Sequence, residues 1–145
     1  MDKDIMLTSN NEKETFELGF KMGKEAKAGD VYTLNGDLGV GKTVFAQGFA
    51  KGLEIDEPIT SPTFTIVCVY EEGRLNLYHF DAYRIGDSSE MDEIGFDEYV
   101  YGDGVSLIEW AQLIEDILPD HYTEITISKD LEKGFDYRSI NIRRI

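Results

Sequence analysis

At 145 residues, 41% hydrophobic and 30% charged, the chain has length and apolar content for one domain with a real core, and no apolar run nears the ~20 residues of a membrane-spanning helix. Its formal net charge of −15 argues against binding RNA or DNA unaided, and no polybasic stretch suggests a membrane surface. Met1-Asp2-Lys3-Asp4 lacks a signal peptide's apolar core, and Cys68, the one cysteine, has no internal disulfide partner and reads as a small core residue, so a cytoplasmic, reducing compartment is expected.

Ile5-Met6-Leu7-Thr8 reads as a short first strand. Ser9, Asn10 and Asn11 offer helix N-caps with Glu12 and Glu14 following, and Thr15, Leu18, Gly19, Met22 and Ala26 recur at helical spacing before Gly29. Val31-Tyr32-Thr33-Leu34-Asn35 is strand-like and feeds Gly36-Asp37-Leu38-Gly39-Val40-Gly41-Lys42-Thr43, a complete G-x-x-x-x-G-K-[ST] phosphate-binding loop. From Val44 the chain continues as a helix with Phe45 and Phe49 on one side and Gly52 placed as a C-cap. Phe64 to Tyr70 and Leu75 to Phe80 flank Glu71-Glu72-Gly73-Arg74, a hairpin signal.

The stretch from Asp87 to Asp103 contains seven acids and no base, interspersed with Met91, Ile94, Phe96 and Tyr99, which predicts short helices. Such a stretch is most often a solvated face, and docking of a partner is the other reading. Val105-Ser106-Leu107-Ile108-Glu109 is a buried strand ending in an acid, and Ala111 to Leu118 a short helix closed by Pro119. Two late strands, marked by Thr123, Ile125 and Ile127 and by Ile140 and Ile142, alternate with polar residues; each is wet on one face, which predicts antiparallel pairing. The sum is a single α/β domain over 1–145, P-loop NTPase-like, with a mixed, mainly parallel central sheet flanked by helices.

The loop carries the chemistry. Its glycines let backbone N–H groups wrap a phosphate chain, and the helix that follows turns its positive end to the same anion. Lys42 is placed for the β- and γ-phosphates and Thr43 for Mg²⁺. Within so acidic a chain, the phosphate site must be made locally positive by backbone, Lys42 and metal. A nucleotide hydrolase also needs an acid at a strand end on the metal side. Glu109 and Asp81 both qualify, and Glu109 is preferred for Mg²⁺ because its strand is the more uniformly apolar. Asp81, in His79-Phe80-Asp81-Ala82-Tyr83-Arg84, is placed to orient a water near the γ-phosphate or else to cap the turn after its strand. His79 has no Cys or His at ligand spacing and reads as structural. Ser61-Pro62-Thr63-Phe64 presents two hydroxyls in a rigid turn, either a switch segment sensing the γ-phosphate or a plain turn.

The loop, Ser61-Pro62-Thr63-Phe64, Tyr78-His79-Phe80-Asp81-Ala82-Tyr83-Arg84 and Leu107-Ile108-Glu109-Trp110, in this order, resemble the TsaE (YjeE) family, and the likeness runs from Ser9 and Thr15-Phe16-Glu17-Leu18-Gly19 to the final strands. The resemblance implies an ATPase required for N6-threonylcarbamoylation of adenosine 37 in tRNAs reading ANN codons, acting with a TsaB–TsaD pair whose TsaD member carries the transfer chemistry. It implies ATP and Mg²⁺ as cofactors, with the loop from Gly36 through Leu38 and Val40 to Thr43 and Val44 at the nucleotide. It also implies Thr43 and Glu109 on the metal, Lys42, Asp81 and Glu109 in catalysis, Glu12 on the adenine side, and Trp110 packing or facing a partner. Val40 stands where the family usually has alanine, and Ala111 where proline is common. The acidity implies tRNA contact only through partners.

Other readings predict other residues. A small-molecule kinase needs a lid with several Arg or Lys, whereas the chain has only five arginines. A GTP-dependent switch needs an Asn-Lys-x-Asp motif, which is absent. A non-catalytic adaptor keeps the loop but tolerates loss of Asp81 or Glu109.

Overall fold

Val105–Glu109 (β5) is buried from end to end, and it forms the middle of the sheet's parallel part. The fold was established from a computed structural model that describes residues 4–37, 39–60, 62 and 66–145. Leu38, Ser61, Thr63 and the expected strand start at Phe64 and Thr65 lie outside the described residues. The other strands are β1 (Asp4–Ser9), β2 (Val31–Asn35), β3 (Val67–Tyr70), β4 (Leu77–Asp81), β6 (Thr123–Lys129) and β7 (Arg138–Arg144). Their order is β1-β7-β6-β2-β5-β4-β3. β6, β2, β5 and β4 run parallel to one another, while β3 on one side and β7 and β1 on the other are added antiparallel. β6 and β7 pair antiparallel as their alternation predicts, Ile125 opposite Ile142 and Ile127 opposite Ile140. Cys68 is only half-buried, because β3 is an edge strand.

Helix α1 (Glu12–Glu25) begins where Asn11 accepts the Glu14 N–H at 2.8 Å, while the Glu14 carboxylate accepts the Asn10 N–H at 2.8 Å. Ser9 is still in β1, where its hydroxyl meets Thr15 Oγ1 at 2.7 Å. Helix α2 (Lys42–Gly52) packs against α1 on one side of the sheet. Gly52 is not the C-cap; Leu53 is, followed by Glu54 at φ 66°. A Cβ on Gly52 would sit 2.3 Å from the Phe20 carbonyl oxygen, so this glycine serves the close approach of two helices instead. The C-terminal carbonyls of α1 are capped from the hairpin turn. Arg74 Nη2 donates to the carbonyls of Gly23, Lys24 and Ala26 at 2.7, 2.8 and 2.8 Å.

The sheet divides the core. Leu34, Phe45, Phe49, Leu53, Leu107 and Ile125 pack on the α1–α2 side. Val31, Phe80, Met91, Phe96, Ile108 and Ile114 pack on the other, under α3 (Glu90–Glu93), α4 (Phe96–Val100) and a 3-10 helix over Ala111–Ile117. The acidic stretch is thus two short helices that bury Met91, Phe96 and Val100. Each fully buried side chain of this size contributes about 1.5–3 kcal/mol. Strand alternation then decides where the polar residues go. Leu107 faces α2 and Ile108 faces away, so Glu109 faces α2. Leu77 faces α2 and Phe80 faces away, so His79 and Asp81 also face α2. Asp81 and Glu109 are register partners at the carboxyl ends of adjacent parallel strands.

Candidate functional site

Beyond Asn35 the chain leaves β2, turns through the loop and enters α2 at Lys42. Gly39 and Gly41 have φ of +74° and +110°, a region that costs glycine nothing and other L-residues roughly 1–2 kcal/mol. Gly41 is the N-cap of α2, so the first N–H groups of the helix are open toward the cleft side of the loop. Val40 points its side chain the other way and is buried in the core.

A cleft of about 610 Å³ opens over this turn. Asp37, Gly39, Gly41, Lys42 and Thr43 line it from the loop and α2, Asp81 and Tyr83 from the end of β4, Glu109 and Trp110 from the end of β5, and Glu12 from the start of α1. Gly36, Val40 and Val44 are not among its lining residues.

Lys42 is buried, with Nζ 3.7 Å from Glu109 Oε1 and 4.9 Å from the centre of the Trp110 ring. Trp110 adopts a left-handed backbone, φ 59°, and its ring meets that of Tyr83 at 4.8 Å between centroids, tilted by 52°. Glu109 is only 7% exposed, and its second oxygen, Oε2, lies 2.7 Å from His79 Nε2. A carboxylate only accepts, so His79 Nε2 carries the proton. His79 itself is 2% exposed, and its Nδ1 has no hydrogen-bond partner among the described residues. Glu109 is therefore held from both sides, by a ring N–H and by an ammonium.

Asp81 is 4% exposed, and its Oδ1 accepts the Tyr83 N–H at 2.9 Å. The turn-capping geometry is present, and the same carboxyl group lines the cleft beside Glu109. Thr43 is exposed in the first turn of α2, on the cleft wall with both acids. A hydroxyl and two carboxylates are the hard oxygen donors that Mg²⁺ takes, and the cleft has room for phosphate oxygens and water between them. The donor set fits the metal.

Lys42, Thr43, Asp81 and Glu109, the site residues read from the sequence, line one cleft; Glu12, which the resemblance put on the adenine side, and Trp110, which it put against packing or a partner, line the same cleft. Sequence reasoning missed the part played by His79. The signal was there: His79 sits two residues before Asp81, so it shares the face of β4 that carries Asp81. That the face lies against Glu109 depends on β4 and β5 being neighbours in parallel register.

The family model described as "Threonylcarbamoyl adenosine biosynthesis protein TsaE" matches residues 9–140. A tRNA threonylcarbamoyladenosine biosynthesis protein TsaE of Bacillus subtilis (strain 168) is 46% identical over 143 residues, 99% of this chain and 87% of that protein. The protein of the same description from Treponema pallidum (strain Nichols) is 43% identical over 119 residues, 82% of this chain and 87% of the relative. In three dimensions the chain is similar to the crystal structure of Bacillus subtilis YdiB, with a TM-score of 0.85 at 42% identity, covering 99% of this chain and 86% of the other.

Proposed function

The chain belongs to the TsaE family of threonylcarbamoyl adenosine biosynthesis proteins, and from that membership we propose that it is a P-loop ATPase serving tRNA threonylcarbamoyladenosine formation. In this reading ATP hydrolysis supports N6-threonylcarbamoylation of adenosine 37 in tRNAs reading ANN codons, within an assembly containing a TsaB–TsaD pair. One observation carries the ATPase reading: a lysine at the start of a helix, behind a glycine turn, faces two buried strand-end acids across a single cleft.

Each side chain has a task that follows from its position. The loop N–H groups from Gly36 to Thr43 and the start of α2 bind phosphate oxygens. Lys42 releases Glu109 and turns its ammonium to the β- and γ-phosphates. Thr43 and Glu109 would hold Mg²⁺, which would supply positive charge against the phosphates. Asp81, desolvated and oriented by Tyr83 N–H, accepts a hydrogen bond from the attacking water and orients it. Glu12, at the opening turn of α1, lines the cleft, and the family resemblance puts it on the adenine side. Trp110 and Tyr83 form an aromatic wall that excludes water from one flank of Lys42.

The net charge of −15 supports tRNA being held by partner proteins. No helix of the described residues is long and apolar enough to cross a membrane; a role in tRNA modification supports a cytoplasmic location. The chain acts as one domain over 1–145 in this reading, since both core clusters are anchored on a common sheet.

A small-molecule kinase is the alternative, and the cleft disfavours it. Its described lining has four acids, Glu12, Asp37, Asp81 and Glu109, against one cation, Lys42. With Lys42 engaged by the nucleotide, no described lining cation remains to hold an anionic acceptor. The deciding experiment is Mg²⁺-dependent ATP hydrolysis by the purified chain, alone and with TsaB and TsaD. Turnover that is slow alone and rises with the partners is expected. Equal turnover in both conditions, or phosphate transfer to an added metabolite, would sink the reading.

A further inference from the structure

We propose that Arg138, outside every motif of the chain, is a positioning residue for phosphate binding; the inference rests on the nucleotide reading above and names a residue that shapes the loop from behind. Arg138 opens β7, opposite Lys129 at the end of β6. Its Nε–H donates to the carbonyl of Val40 at 2.8 Å, across 98 positions of sequence. Its Nη1 donates to the carbonyls of Phe135 and Tyr137, at 2.9 and 2.8 Å. The guanidinium is a planar fork of fixed donors, so these bonds tie the end of the β6–β7 hairpin to the phosphate loop. Among the described residues no carboxylate forms an ion pair with it, so its charge remains uncancelled beside the loop.

The consequence for the cleft follows from peptide geometry. Val40 is pinned twice, by its buried side chain and by the bond to its carbonyl. The Val40–Gly41 peptide is trans, so its C=O and N–H point in opposite directions. With the carbonyl held toward Arg138, the Gly41 N–H is turned away from Arg138. Gly41 lines the cleft, and its N–H becomes a preset donor to phosphate. Gly41 at φ +110° has little intrinsic preference for this direction, since glycine rotates freely. Arg138 supplies the restraint.

The test compares wild type with Arg138→Met, which keeps length without donors, and Arg138→Lys, which keeps charge without the fork. Binding of Mg-ADP is measured by calorimetry, and the Gly41 amide resonance is followed by NMR in nucleotide-free protein. For Arg138→Met, affinity should fall about tenfold or more, as for loss of an outer-shell partner. Arg138→Lys should recover part of that loss. The Gly41 amide should shift in both variants while the amide of Gly19, in α1, stays in place. If both folded variants bind Mg-ADP within twofold of wild type, or if the Gly41 amide does not move, the inference is overturned. Should Arg138→Met fail to fold, Arg138→Lys alone decides by the same two readouts, with binding at least threefold weaker expected. If wild type itself binds neither Mg-ADP nor Mg-ATP, the nucleotide reading fails and this inference with it, an outcome distinct from variants that bind as well as wild type.

Discussion

Replacing His79 with phenylalanine keeps a ring of similar size in β4 but removes the N–H that meets Glu109 Oε2 at 2.7 Å. Both residues are nearly inaccessible, at 2% and 7% exposure, so water does not readily take the vacated place. Among the described residues, Glu109 would keep only the ammonium of Lys42, at 3.7 Å. A hydrogen bond to a charged group contributes about 1.5–3 kcal/mol, and a buried charge left short of a partner costs at least as much. His79→Phe should therefore lower the unfolding free energy by about 2–3 kcal/mol, or the melting temperature by roughly 5–10 °C for a chain of this size. Urea unfolding of nucleotide-free protein reads this directly. In a double-mutant cycle with Glu109→Gln, the coupling should be about 1.5 kcal/mol or more. Loss of less than about 0.5 kcal/mol for His79→Phe, or a coupling near zero, would show that His79 does not hold Glu109.

Lys42→Ala should abolish detectable nucleotide binding, whereas Glu109→Ala should bind ATP in EDTA and lose the gain from Mg²⁺; normal Mg-ATP affinity in Glu109→Ala, by calorimetry, refutes the metal role. Asp81→Asn keeps an acceptor for the Tyr83 N–H but loses the charge, so ATP affinity should hold within about threefold while turnover falls about 10²–10⁴-fold; undiminished steady-state turnover removes Asp81 from the mechanism. Arg74→Ala uncaps three carbonyls at the end of α1 and should cost about 1–2 kcal/mol in urea unfolding, and a loss below about 0.5 kcal/mol would contradict the capping role. Burial pushes the Tyr32 phenol above its ordinary range, with the Asp30 carboxylate adding to the shift. The folded state thus favours the protonated phenol; its contribution is complete below a pH of about 10 and is lost as pH rises beyond that. Tyr32→Phe should flatten the decline in stability between about pH 10 and 11.5, and an unchanged slope would refute this assignment.

The elements that depend on neighbours in sequence were legible from the chain. The phosphate loop needs only glycines, a lysine and a threonine at set spacing between a strand and a helix, and all of that is local. The buried strand ending at Glu109 and the alternation of the last two strands follow from side-chain period alone. Gly52 shows the limit: its position after a helical run predicts a cap, but the backbone of α1 lies so near that glycine is required for packing. Residue spacing has no access to that second helix.

Strand order was decided only in three dimensions. No local pattern says that β5 lies between β2 and β4, yet that order sets Lys42 against Glu109 and Glu109 against His79. Nor does any pattern link Arg138 to Val40, which approach because β6 runs parallel to β2 and β7 folds back along β6. Sequence alone determined which chemical groups stand at the glycine turn, the helix start and the strand ends, because these are set by short-range sterics. Tertiary structure decided which groups restrain one another, because hydrogen bonds between distant residues exist only after non-local strands have paired and buried them.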